Sequence, residues 1–89
     1  MKSKGKIALK KKTSELDSED MLQKLGNRIK TLRIKAGHTS YEYFAYEHDI
    51  PRAQFGRYEK GQDLRLSSLV KVVNAFGITM KEFFSEGFD

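Results

Sequence analysis

The sequence predicts an all-α domain of five short helices behind a basic N-terminal arm. Three observations predict it. From residue 21 onward, apolar residues recur at intervals of three and four, which lines them along one helix face. Glycine, proline and hydroxyl residues punctuate that pattern where helices start and stop. No stretch shows the strict apolar–polar alternation of a half-buried strand.

Residues 1–20 carry six Lys, at positions 2, 4, 6, 10, 11 and 12, followed by Glu15, Asp17, Glu19 and Asp20. Ile7, Ala8, Leu9 and Leu16 are too few and too unevenly spaced to specify a packed element, so this stretch is expected to be a mobile arm. Such an arm is either a solvated tail or a set of ammonium groups lying along phosphates. A helical turn can begin at Ser18-Glu19-Asp20, where acids suit the positive end of the helix dipole.

Helix 1 follows from Leu22, Leu25, Ile29 and Leu32, with Gly37 as its stop. Lys24, Arg28, Lys30, Arg33 and Lys35 lie on it with no acid between them. They form either a solvated face or a DNA-contacting one. Helix 2 begins in Thr39-Ser40-Tyr41-Glu42, where Thr39 and Glu42 have capping-box spacing. Phe44, Ala45 and His48 make its inward stripe, with His48 expected in the core. Asp49 interrupts it, as one of the few non-glycine residues that tolerate a left-handed backbone.

Pro51 suits the first position of helix 3, which carries Phe55 and Tyr58 inward and stops at Gly61. Leu66, Leu69, Val72 or Val73, and Phe76 define helix 4, closed by Gly77. Thr79 is placed to cap a last short helix bearing Phe83 and Phe84. The domain is expected to span residues 21–89.

Eighty-nine residues leave little room for a catalytic cleft and the core to support it. The absence of Cys excludes disulfides, thiolate chemistry and Cys-based zinc sites, and two His alone make a poor metal site. No acids pair at a catalytic spacing, and His38 and Ser40 straddle a loop with no orienting acid. No enzyme activity, cofactor or metal is therefore expected. No apolar run approaches the ~18 residues of a membrane span, and no signal-type segment is visible, so the expectation is a cytoplasmic protein. The net charge of +5 and pI near 9.5 make a polyanion the default partner.

Two short helices joined by a tight turn, with others behind them, match the helix-turn-helix plan, in which the second helix enters the major groove. The detailed residues carry this further. Leu25-Gly26-Asn27-Arg28-Ile29-Lys30 with Leu32-Arg33, Phe44-Ala45, Phe55-x-Arg57-Tyr58-Glu59-Lys60-Gly61, Leu69 with Ala75-Phe76-Gly77-Ile78, and Phe83 follow in order over about two-thirds of the chain. This series resembles the Cro/repressor-type helix-turn-helix family (the XRE family) of small bacterial and phage regulators. Four features depart from that pattern. The helix 1–2 loop is longer by one residue, Tyr41 stands where a phosphate-touching Gln is common, Asp49 replaces the turn glycine, and Pro51 replaces a Ser/Thr cap.

The resemblance maps the base-reading positions onto Arg52, Ala53 and Arg57. The chemistry agrees, since Arg offers a fork to guanine, Ala a methyl to thymine, and Gln54 a bidentate pair to adenine. Arg52 and Gln54 rank first because they lie near the helix N-terminus. Gly56 implies a close approach, either to DNA or to helix 2. Phosphate contacts are expected from Ser40 and Tyr41 on one side and from Lys60, Gln62 and Arg65 on the other. Arg33 and Glu59 match positions that pair across helices 1 and 3 in the family. Phe83, Phe84 and Phe88 are core, or alternatively a dimer interface.

The resemblance thus implies a transcriptional regulator, expected to be a repressor, binding double-stranded DNA as a homodimer. An antitoxin or accessory subunit with a protein partner (a toxin or co-regulator) is the alternative. A nonspecific RNA or DNA binder relying on the Lys-rich arm is a further one.

Overall fold

The computed structural model describes residues 16–89 and shows an all-helical domain. Its elements are α1 (Ser18–Lys35), α2 (Tyr41–Glu47), α3 (Arg52–Glu59), α4 (Leu66–Phe76) and α5 (Met80–Phe83). The first fifteen residues of the expected arm lie outside the described residues. Its last residues belong to a helix. Asp17 caps α1 by accepting from the Glu19 amide at 3.0 Å, and Glu19 and Asp20 occupy the first turn. Acids at the start and Arg33 and Lys35 at the end both complement the helix dipole.

Each helix contributes a large, fully buried side chain to a shared core: Ile29, Phe44, Phe55, Val72 and Phe83. The Phe44 ring lies 5.2 Å from Phe55 and stacks at 4.9 Å on Phe76, centroid to centroid. The His48 ring lies 4.4 Å from that of Phe44, half-buried at the end of α2. Val72 and Val73 are both buried. Leu66, expected to begin the α4 stripe, is instead 68% exposed, because the first turn of α4 overhangs the core.

The caps show where local sequence rules apply. Thr79 and Glu82 form a reciprocal capping box on α5. On α2 the cap is Ser40, whose Oγ accepts from the Tyr43 amide at 3.2 Å, one residue after the Thr39 that capping-box spacing favours. Asp49 takes φ 59°, and its carbonyl accepts from Lys71 Nζ at 2.7 Å, which ties the α2–α3 turn to α4. Pro51 is the N-cap of α3 and makes no side-chain cap bond.

A four-residue helix such as α5 has no stability alone. Arg28 holds it. Its Nε donates to the Phe83 carbonyl at 2.7 Å and its Nη2 to the Glu82 carbonyl at 2.9 Å, with Glu86 3.6 Å from Nη1. The guanidinium also lies over the Phe83 ring, 5.9 Å from its centroid. Arg28 is therefore not part of an open basic face: it is 8% exposed and turned toward α5. Hydrogen bonds to a charged group contribute about 1.5–3 kcal/mol. Arg28→Ala should accordingly lower the melting temperature and accelerate amide exchange across residues 80–86 more than across α2. Equal acceleration everywhere would show that the clamp is not local.

Candidate nucleic-acid interface

Helix α3 exposes Arg52, Ala53, Gln54 and Arg57 and buries Phe55, Gly56 and Tyr58. At about 100° per residue, the open arc is centred between Ala53 and Arg57, which lie one turn apart. Arg52 and Gln54 flank that centre on opposite sides. Arg57, which ranks after Arg52 and Gln54 by distance from the helix N-terminus, occupies the middle of the open face.

Two clefts border this face. One, at the start of α3, is lined by Ala45, Tyr46, Asp49, Ile50, Pro51, Arg52 and Lys71. The other runs between α3 and the start of α4 and gathers Gln54, Arg57, Asp63, Arg65 and Ser68. Gln54, Arg57 and Arg65 thus lie along one polar groove. Lys60 and Gln62 are exposed in the turn that closes α3. Ser40 is exposed at the α2 N-terminus, where its hydroxyl already serves the cap. Tyr41 differs from the other expected phosphate ligands because its ring is half-buried against the core.

The exposed face of α3 owes its orientation to contacts from behind. Gly26 on α1 meets the C-terminal end of α3 so closely that an added Cβ would stand 2.6 Å from the Tyr58 carbonyl oxygen and 2.8 Å from that of Glu59. Gln23 Nε2 donates to the Lys60 carbonyl at 3.0 Å, one turn before Gly26 on α1. Arg33 forms a two-pronged pair with Glu59, Nε to Oε2 at 2.6 Å and Nη2 to Oε1 at 3.0 Å. Its Nη1 donates to the His38 carbonyl at 2.8 Å, so one guanidinium joins α1, the α1–α2 loop and α3. The two side chains are 5% and 7% exposed. Nothing local marked Gln23; its bond spans 37 residues.

The middle of α3 is held from the other side. A Cβ at Gly56 would stand 2.8 Å from Cε1, 3.0 Å from Cζ and 3.1 Å from the hydroxyl of Tyr41. Of the two close approaches open to Gly56, the structure shows the one toward α2. On the same helix, Glu47 raises the pKa of exposed Tyr43 above the ordinary phenol value, first by hydrogen bonding and then by its charge.

The C-terminal aromatic group divides. Phe83 is fully buried, 5.0 Å from Phe84 and 6.1 Å from Phe88, and so is a core residue with no surface to offer a partner. Phe84 is 39% exposed and Phe88 is half-buried. On α4, Leu66 and Val70 form a second exposed apolar pair, one helical turn apart. Among the described residues, no helix is long and apolar enough to cross a membrane.

Comparison with protein-family models yields no match. Among curated proteins the chain is similar to Control protein C.MunI of a Mycoplasma species. The two are 34% identical over 68 residues, which cover 75% of this chain and 92% of that protein.

Proposed function

The chain belongs to the family of small helix-turn-helix control proteins, and from that premise we propose that it reads a specific duplex DNA site as a homodimeric repressor. Membership of the family carries DNA binding and the regulation of transcription. The observation behind the finer reading is the face of α3. Four side chains suited to base edges, Arg52, Ala53, Gln54 and Arg57, stand open on a helix gripped from behind by α1 and α2. A loosely held helix would be of little use for this purpose, because base discrimination depends on placing donors against one edge pattern.

In this reading α3 lies in the major groove. Arg57 and Ala53 face the base edges, with Arg52 and Gln54 on the flanks. The α2 N-terminus at Ser40 and Tyr41 takes one phosphate, and Lys60, Gln62 and Arg65 take those across the groove. One such helix reads only about 4–6 base pairs, and two related by a two-fold axis double the site. Leu66, Val70, Phe84 and Phe88 supply apolar surface for the second copy. Repression follows from occupancy, since a domain seated across a promoter excludes other proteins from it.

Selection from a random duplex pool tests this directly. A two-fold symmetric motif is expected, and the absence of any enriched motif would overturn the reading. Arg57→Ala should then cost about 1–3 kcal/mol at one base position per half-site and relax preference there. Lys60→Ala should weaken all sequences alike and reduce the salt slope by roughly one. Uniform weakening by Arg57→Ala would reassign that residue to a phosphate. The C-terminal aromatic surface of Phe84 and Phe88 also suits a different protein, as in an antitoxin or accessory subunit. A stoichiometric heterologous partner in place of a self-associating chain, seen by sedimentation of the protein from native cells, would favour that arrangement.

A further inference from the structure

We propose that Tyr41 and Gly56 form a positioning pair that sets the height of the recognition helix against α2, making Tyr41 a determinant of base preference. The inference rests on the reading of α3 as the helix in the groove. Gly56 lies about 40° around α3 from Arg52 and about 60° from Ala53, so the Tyr41 ring borders the reading face without being part of α3. The ring edge and hydroxyl occupy the space that any larger residue at position 56 would need. The bare side of Gly56 is therefore turned toward α2 and is not available for a close approach of the duplex.

Tyr41 is also the first residue of α2, next to the Ser40 cap. That helix end is where a phosphate is expected, and α3 is where bases are read. The ring thus spans from the phosphate-facing end of one helix to the base-facing side of the next. Phosphate contacts set register and base contacts set sequence. A rigid spacer between the two decides which base edge each α3 side chain meets once the phosphates are engaged.

The space at Gly56 is filled by the far end of a half-exposed side chain, whereas the space at Gly26 is filled by backbone carbonyls. In Gly56→Ala the ring can swing toward solvent, so the fold survives while the spacer is lost. The test compares the wild type, Gly56→Ala, Tyr41→Ala, Tyr41→Phe and the Gly56→Ala/Tyr41→Ala double variant. Affinity is measured on the selected duplex and on a scrambled one, with thermal melts of each protein.

Gly56→Ala is expected to lower affinity for the selected duplex roughly tenfold, the loss of about one good base contact, and to leave the scrambled duplex unchanged. Tyr41→Phe keeps the ring, so loss of any hydroxyl–phosphate contact should weaken both duplexes alike and leave their ratio at the wild-type value. Once Tyr41 is already Ala, adding Gly56→Ala should have no further effect on that ratio, the non-additivity expected of touching residues. A wild-type ratio in Gly56→Ala, or an undiminished Gly56→Ala loss in the Tyr41→Ala background, would overturn the pair. A wild type with no preference would instead overturn the functional reading. The melts still report on the contact in that case, because additive shifts for the two substitutions would show that no pair exists.

Discussion

Glu59→Lys is expected to lower the melting temperature by tens of degrees, which for a domain of this size means loss of the fold under ordinary conditions. Glu59 accepts two bonds from Arg33, and both side chains are almost fully buried. Removing one partner leaves the Arg33 guanidinium buried beside a second cation. Breaking a buried pair costs about 3–5 kcal/mol, mostly as the penalty of the orphaned charge. At about 4–8 °C per kcal/mol for 60–100 residues, that is comparable with the whole stability of the domain.

The conservative variant separates charge from geometry. Glu59→Gln keeps one acceptor oxygen for the Arg33 fork and should fall between the wild type and Glu59→Lys. Replacing both residues together, as in Arg33→Met/Glu59→Leu, should cost less than either single change, because no buried charge remains. An unchanged melting temperature in Glu59→Lys, measured by far-ultraviolet circular dichroism, would remove the pair from the account of stability. The double change bears on function as well. Without the fork, the end of α3 loses its charged hold and keeps Gln23, the Gly26 contact and the buried Tyr58, so specific DNA affinity should drop even where the fold is kept.

Gly26→Ala carries the second large effect, and its sign is opposite to the usual rule. In an ordinary helix interior, Gly→Ala gains about 1 kcal/mol. Here the new methyl would meet the Tyr58 and Glu59 carbonyl oxygens at 2.6 and 2.8 Å, and backbone cannot swing aside as a side chain can. The helices α1 and α3 must separate. Overpacking of this kind costs typically 1–3 kcal/mol, and contacts this short with backbone belong at its upper end, so after the propensity gain the substitution should still be net destabilising, by up to about 2 kcal/mol. Separation would also stretch the Arg33–Glu59 and Gln23–Lys60 bonds, which span the same crossing. A higher melting temperature for Gly26→Ala would show that the crossing is looser than these distances imply. Paired with Gly56→Ala, whose clash is with a movable ring, the two substitutions distinguish stability from placement on the one helix α3.

Much of the element order was legible in the residues. The Thr79 cap, the Asp49 turn, the inward Phe55 and Tyr58, and the stops at Gly37, Gly61 and Gly77 are all signals between residues within four positions of each other. The misplacements were local as well. Thr39 and Ser40 both carry a hydroxyl, and only the backbone path shows that Ser40 makes the cap. Leu66 satisfied the spacing of an inward stripe, yet it lies beyond the edge of what α4 covers.

The identity of the open positions on α3 follows from the sequence alone, since Phe55 and Tyr58 claim the inward face and leave Arg52, Ala53, Gln54 and Arg57 outside. Its charge segregation is likewise readable: basic residues along helix 1 and the recognition segment, and Lys81 against Glu82, Glu86 and Asp89 at the end. What only the tertiary structure decided is which cations are free. The resemblance already implied the Arg33–Glu59 pair, but not that Arg28 is spent on the α5 carbonyls, that Arg33 also reaches the His38 carbonyl, or that Lys24 pairs with Asp20 at 3.2 Å. The tertiary structure likewise decided that Gly56 faces Tyr41 and that Phe83 belongs to the core. The physical reason is distance along the chain. Periodicity and capping act between near neighbours, whereas Arg28 meets Phe83 across 55 residues and Arg33 meets Glu59 across 26, partners brought together only when the helices pack.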